Sequence, residues 1–217
     1  MNLSKIDIGR LIAVSVFTFY MTLSTLIAYR DISILSPINM AKALVLIHHI
    51  LVAFFYALII FLYLLRSSPS STSRSFVTNS IAVLTTFSPS ALSLLSKPES
   101  SRPEIVLLAN FVIVLGMVLS ICSLASLGRS FSIIPQARKL VRTGPYKLIR
   151  HPLYVSEIIG LFGVVLVGIS ISKMAIFFFI VGCQIYRAFQ EEKLLAEVFP
   201  DYGQYRSKTA RFIPGVF

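Results

Sequence analysis

The sequence predicts an all-α fold, a polytopic transmembrane helix bundle of about six spans in which the last two form a helical hairpin. Three observations carry this. Of 217 residues, 56% are apolar and only 13% charged, with a mean hydropathy of +0.82, whereas soluble domains run near half apolar and about a quarter charged. Several apolar runs approach or exceed the ~20 residues that carry a helix across a bilayer. Finally, 20 Lys and Arg outnumber 9 Asp and Glu, a formal net charge of +11, and the basic residues collect between the apolar runs, as membrane topology requires. That placement argues against a nucleic-acid partner, which would call for a basic face. Disorder is excluded because it needs low hydrophobicity and high charge density.

Taken in order, the apolar segments are Leu11–Tyr29, Met40–Leu65, Phe76–Leu95, Ile105–Leu127, Leu153–Ile171 and Met174–Phe189. The first lacks a small-residue cleavage site and is longer than a signal-peptide core, so it reads as a retained helix. The second carries His48-His49, adjacent on one helix and so facing different directions, which reads as structural. Ser67–Ser75 is a Ser-rich linker, and Ser88-Pro89-Ser90 interrupts the third segment, although membrane helices tolerate Pro. Lys97–Pro103 is a short loop of both charge signs. The fifth segment contains Gly160, Gly163 and Gly168, which read as small helix-interior residues for close packing.

Six spans put both termini on one side, together with Lys5, Arg10, Arg66, Arg74, Arg129, Arg138, Lys139, Arg142, Lys147, Arg150, Arg187, Lys193, Arg206, Lys208 and Arg211. The other side receives Arg30, Lys42, Lys97, Arg102 and Lys173. This split of 15 to 5 predicts a multi-pass membrane protein with cytoplasmic termini. Residues 1–127 read as N-terminal transmembrane helices. Residues 128–217 read as a loop, a helical hairpin and a C-terminal tail, and there charge, aromatics, Gly and Pro interleave in ways that spanning does not require.

Chemistry is expected in that second part. Glu157 lies inside an apolar segment, where an ionisable group is functional or paired by default. Glu157 is 16 residues before Lys173 and Arg187 is 14 after it, or ~24 and ~21 Å of helix, so an antiparallel hairpin brings them to nearly one depth. The same arithmetic sets Tyr154 level with Glu191 and Glu192. Arg187 and Glu191 are also i,i+4 neighbours. Pro152 suits the first turn of a helix, which leaves His151 at its start beside free backbone N–H groups. Cys122 and Cys183 form no Cys-x-x-Cys pair, so no zinc pattern emerges and no metal is expected. No Gly-x-Gly-x-x-Gly run is present, which excludes a Rossmann-type site.

The run Gly144-Pro-Tyr146…Arg150-His-Pro-Leu-Tyr154, with Arg187-x-x-x-Glu191-Glu192 and Phe199-Pro-Asp-Tyr202-x-x-Tyr205…Phe212-Ile-Pro214, resembles the isoprenylcysteine carboxyl methyltransferase family. That family belongs to a wider group of integral-membrane methyltransferases that includes phospholipid methyltransferases. The resemblance covers about residues 127–217. It implies S-adenosyl-L-methionine held at the cytosolic membrane edge and a lipid-like or small-molecule methyl acceptor reached from the membrane lipids. Cofactor contacts carry over onto Gln136, Arg138, Lys139, Leu140, Val141, Tyr146, His151, Pro152, Leu153, Tyr154 and Glu191. Arg187 takes the place of the family's substrate-binding arginine, with Glu192 the second acid of the pair. Many members have Gly two residues after the motif Tyr; here Ser156 is followed by Glu157, a departure that points to a different substrate. A prenylcysteine-like carboxylate, a phospholipid amine and a small thiol all remain open as acceptors. A non-catalytic transporter or scaffold is the alternative of another class, and it leaves the loop and tail motifs unexplained.

Overall fold

The computed structural model describes residues 8–34, 40–94 and 102–216. Lys5 and Lys97, both counted in the charge split, lie outside the described residues, as does most of the 97–103 loop. Among the described residues seven α-helices follow in order: α1 (Ile8–Ile34), α2 (Met40–Leu65), α3 (Phe76–Leu94), α4 (Pro103–Leu127), α5 (Pro152–Leu166), α6 (Ile171–Val198) and α7 (Tyr202–Lys208). Four of them contain stretches long and apolar enough to cross a membrane: Leu11–Arg30, Lys42–Leu65, Pro103–Ser130 and Ile171–Val198. The third and fifth of the six expected spans are shorter apolar helices. With 15 residues, α5 is ~22 Å long and falls short of a ~30 Å hydrocarbon core. Large apolar side chains such as Phe19, Phe111 and Phe178 stand more than half exposed, as expected where the surrounding solvent is lipid.

Close packing of α4 against α5 organises the bundle. The buried face of α4 is a row of small residues, Ala109, Gly116, Ser120 and Ser123, ending in Leu124. A Cβ on Gly116 would stand 2.4 Å from the backbone nitrogen of Gly160, and one on Gly163 would meet the Ala109 carbonyl at 2.9 Å. The two backbones are therefore in contact, as small-residue interfaces in membranes allow. Ser120 donates across the same seam to Ser156 (2.9 Å). Gly168 departs from its expected helix-interior position. It lies in the turn after α5 with φ +74°, a conformation that L residues rarely adopt.

Two apolar clusters sit on either side of this seam. Phe17, Ile59, Leu62, Tyr63, Leu124 and Leu153 join α1, α2, α4 and α5, and Leu92, Leu161, Val165, Phe177 and Ile180 join α3, α5 and α6. The turn from α5 to α6 is closed by Lys173, almost fully buried, whose Nζ donates to the Val167 carbonyl at the C-terminus of α5, where backbone acceptors are left over. Ser170 caps α6 by accepting from the Lys173 backbone N–H (3.3 Å).

The long connection from α4 to α5 is tied down rather than loose. Its strand β2 (Gln136–Ala137) pairs antiparallel with β1 (Ser71–Thr72), Thr72 opposite Gln136, so the Ser-rich linker is part of the fold. The Tyr63 hydroxyl accepts from the Ile133 backbone N–H (3.1 Å). On the far side, the tail joins the start of α5 through a parallel bridge between Ile149 and Ala210. The Arg150 and His151 backbone N–H groups donate to the Ala210 and Arg211 carbonyls at 2.8 and 3.2 Å.

Candidate active site

Pro152 opens α5 and leaves His151 as its N-cap residue, which points Tyr154 inward one turn later. The imidazole of His151 stacks on the Tyr154 ring, centroids 5.4 Å apart and planes 10° from parallel. The Arg187 guanidinium lies 4.8 Å from the same ring's centroid, close enough for a cation–π contact. The Tyr154 hydroxyl donates to Glu191 Oε1. His151, Arg187 and Glu191 thus meet around one aromatic ring, and of these the depth arithmetic sets Glu191 level with Tyr154.

Arg187, 4% exposed, draws three elements together. Its Nη1 donates to Thr85 Oγ1 (2.8 Å) and Gln184 Oε1 (3.2 Å), and its Nη2 donates to the Ile133 carbonyl (2.9 Å). Its Nε is buried with no hydrogen-bond partner among the described residues. Glu157 does not pair with it directly. Gln184 stands between them, donating from Nε2 to Glu157 Oε2 (2.7 Å) while accepting from Arg187. The expected i,i+4 pair of Arg187 with Glu191 is likewise absent among the described residues, because Arg187 is turned toward Thr85 and Ile133.

Glu192 points the other way, into the tail. Its Oε1 accepts from Arg150 Nε (2.9 Å) and Arg211 Nε (2.9 Å) and lies 3.1 Å from His151 Nε2, while its Oε2 accepts from Arg211 Nη2 (3.0 Å). That hydrogen bonding holds Arg211 more strongly protonated than a free guanidinium, and Arg211 also lies over the Phe189 ring at 3.9 Å. Arg150 additionally donates to the carbonyls of Arg206 and Thr209.

His151, Tyr154, Glu157, Gln184, Arg187 and Glu191 line a cleft of about 740 Å³, within the usual size of a small-molecule site. Its polar end is formed by Gln136, Lys139, Leu140, Val141, Tyr146, His151, Leu153, Tyr154 and Glu191, with Glu157 and Arg187 beyond them. Three expected site residues lie off the cleft wall. Arg138 hydrogen-bonds Gln136 Oε1 at 2.5 Å, Pro152 is buried as the first residue of α5, and Glu192 is taken up by the tail. Tyr202 and Tyr205 of α7, read from the sequence as part of the tail motif but given no site role, also line the cleft. The Tyr205 hydroxyl donates to the Tyr146 carbonyl (2.7 Å), and burial pushes its pKa up to about 12, so it remains a neutral donor.

The apolar walls were not expected as part of a site. Residues from Phe17 to Ile27 of α1 and from His48 to Ile59 of α2 line the cleft, which therefore runs ~15 Å along these helices, away from the polar end. His48 and His49 both line it, with ring centroids 5.5 Å apart, although adjacent positions on one helix would be expected to diverge. Among the described residues, no group of three or more His, Cys, Asp or Glu is placed to hold a metal ion.

A helical membrane protein with a polar site at the mouth of an apolar cleft fits the family its sequence matches. Residues 105–202 match the phospholipid methyltransferase family, which includes isoprenylcysteine carboxyl methyltransferase-like proteins. The match takes in α4, ahead of the boundary that the sequence placed at residue 128. Two similar proteins carry names from metal resistance. A cobalt-zinc-cadmium resistance protein, CzcN, of Cupriavidus metallidurans is 34% identical over 99 residues, 42% of this chain and 45% of that protein. A nickel-cobalt-cadmium resistance protein, NccN, of Alcaligenes xylosoxydans xylosoxydans is 35% identical over 82 residues, 36% of this chain and 38% of that protein. The similarity thus spans less than half of each relative.

Proposed function

We propose that this protein is an integral-membrane methyltransferase that takes its methyl group from S-adenosyl-L-methionine at the cytosolic membrane edge and passes it to a lipid-like acceptor. The observation that carries this is the Tyr154 cluster at the mouth of the cleft, with its ring between His151 and Arg187 and its hydroxyl on Glu191. A cationic sulfonium with an amino-acid tail asks for carboxylate, aromatic and backbone partners, and this end of the cleft offers all three. Glu191, Tyr154, His151 and Tyr146 would hold it, with Gln136 and the Lys139–Val141 stretch along its side. When bound, it supplies a methyl group already activated for displacement, so the protein's task is positioning and electrostatics. The apolar walls of α1 and α2 support entry of the acceptor from the bilayer, and the family match supports the reaction class. The names of the metal-resistance relatives add no metal chemistry to this reading, since the cleft's donors suit an organic cation.

Binding of S-adenosylhomocysteine to the full chain in nanodiscs, followed by calorimetry, tests the reading. Saturable one-site binding is expected. Tyr154→Phe, which removes the bond to Glu191 but keeps the ring stack, and His151→Ala should each weaken it about tenfold, or ~1.4 kcal/mol. No saturable uptake by the unmodified protein would overturn the proposal. Unchanged affinity in both folded variants would move the cofactor elsewhere.

A further inference from the structure

Glu157 is the one carboxylate in the cleft that the site described above gives no task. Its Oε2 is held by Gln184 Nε2 at 2.7 Å, and Gln184, 2% exposed, is itself fixed by Arg187. No described residue donates to Oε1, and the side chain lines the cleft. One oxygen is therefore anchored and the other is left facing the cavity. Glu157 follows Tyr154 by three residues on α5, one turn deeper. It thus lies just beyond the proposed cofactor position, where the acceptor's reacting atom must come.

The charges around that point restrict the acceptor. Glu157 and Glu191 bring two negative charges, and Arg187 brings one positive charge that is already directed at Thr85, Gln184, Ile133 and the Tyr154 ring. A bound sulfonium donor, zwitterionic at its amino-acid end, adds one net positive charge and brings the sum to zero. A carboxylate acceptor would leave an uncompensated negative charge beside Glu157 in a poorly screened site, which is costly. A nucleophile that arrives with a proton does not.

We propose that Glu157 is the proton acceptor of the reaction, and that the methyl acceptor is an amine or thiol on an apolar tail rather than a carboxylate. This rests on the methyltransferase reading above. As the lone pair of the acceptor nitrogen or sulfur forms its bond to the methyl carbon, the carbon–sulfur bond of the donor breaks. Its electron pair stays on sulfur as a neutral thioether. An alkylamine, which arrives as ammonium, gives one proton to Glu157 Oε1 before attack and so frees that lone pair, whereas a thiol gives its proton as it attacks. From Glu157 the proton passes to water, and charge balances without any further reactant. Gln184 keeps the carboxylate turned to the cavity and is a positioning residue.

The test uses the full chain in nanodiscs with labelled methyl donor and three acceptors matched in length: octylamine, octanethiol and octanoate. The unmodified protein should methylate the amine or the thiol and leave octanoate essentially untouched. Glu157→Gln keeps the shape and the bond to Gln184 but removes the charge. It should lower amine or thiol turnover at least fifty-fold and raise the octanoate rate severalfold. S-adenosylhomocysteine affinity should stay within threefold. In protein free of the donor, the same variant should bind octylamine at least tenfold more weakly and octanoate more tightly, a reversal of preference that loss of packing cannot produce. Preference of the unmodified protein for octanoate, parallel loss of all three activities in Glu157→Gln, or methylation of neither amine nor thiol while S-adenosylhomocysteine binds would each overturn the assignment. Failure of S-adenosylhomocysteine to bind at all would instead remove the methyltransferase reading beneath it.

Discussion

Two adjacent acids show how far one residue type can diverge over a single peptide bond. Glu191 projects into the cleft and meets the Tyr154 hydroxyl, whereas Glu192, 100° further round α6, meets Arg150, His151 and Arg211. The motif alone assigns both to chemistry. The contacts make Glu192 a clamp that fixes the tail against the start of α5. Both the Arg150 and Glu192 side chains are 5% exposed, and removing one partner of such a buried pair leaves a charge uncompensated. Glu192→Gln is therefore expected to destabilise the protein by about 3–5 kcal/mol, read as a large fall in the thermal unfolding midpoint in detergent. Unchanged unfolding together with lost methyl transfer would return Glu192 to the catalytic group.

At the scale of elements, α5 owes its position to α4, and the site inherits that position because Tyr154, Ser156 and Glu157 all ride on α5. Gly116→Ala would drive a methyl group to 2.4 Å from the Gly160 nitrogen and 2.9 Å from the Ser156 carbonyl. Backbone atoms cannot rotate away, so the helices must separate, at a cost of roughly 1–3 kcal/mol or more. The expected result is lower thermal stability together with weaker S-adenosylhomocysteine binding. Gly182→Ala on α6, with nothing within 4 Å, serves as the matched control and should be neutral or slightly stabilising. Equal behaviour of the two would show that the α4–α5 contact does not set the site. The meeting of Tyr154 with Glu191 was legible beforehand because helix rise converts sequence distance from a turn into depth. The roles of Thr85, Gln184 and the walls of α1 and α2 were not, since a helix apolar on every side carries no record of which face is inward. The tail bridge at Ala210 was equally hidden, because it depends on a partner more than fifty residues away.

For the molecule as a whole, the shortness of α5 bears on topology without overturning it. At ~22 Å it dips into the bilayer, turns at Val167–Ser170, and α6 brings the chain back to the Tyr154–Glu191 level. The α5–α6 hairpin therefore begins and ends on one side whether or not its turn reaches the opposite surface. The charge split needs two adjustments: Lys173 is buried at that turn and Arg187 within the bundle, so neither belongs to a loop. Removing one from each side changes 15 to 5 into 14 to 4, and the excess still gathers with the cofactor loop and the tail. Since Lys and Arg near helix ends are retained on the cytoplasmic side, residues 8 and 216 are expected to face the cytoplasm together with the site. A fluorescent protein fused after the tail should be bright, and alkaline phosphatase at the same position inactive. Alkaline phosphatase fused in the α4–α5 loop should be inactive as well. Activity of both phosphatase fusions would invert the whole molecule and place the proposed donor site away from the cytosol. Activity of the tail fusion alone would mean that α6 does not return to the side from which α5 entered.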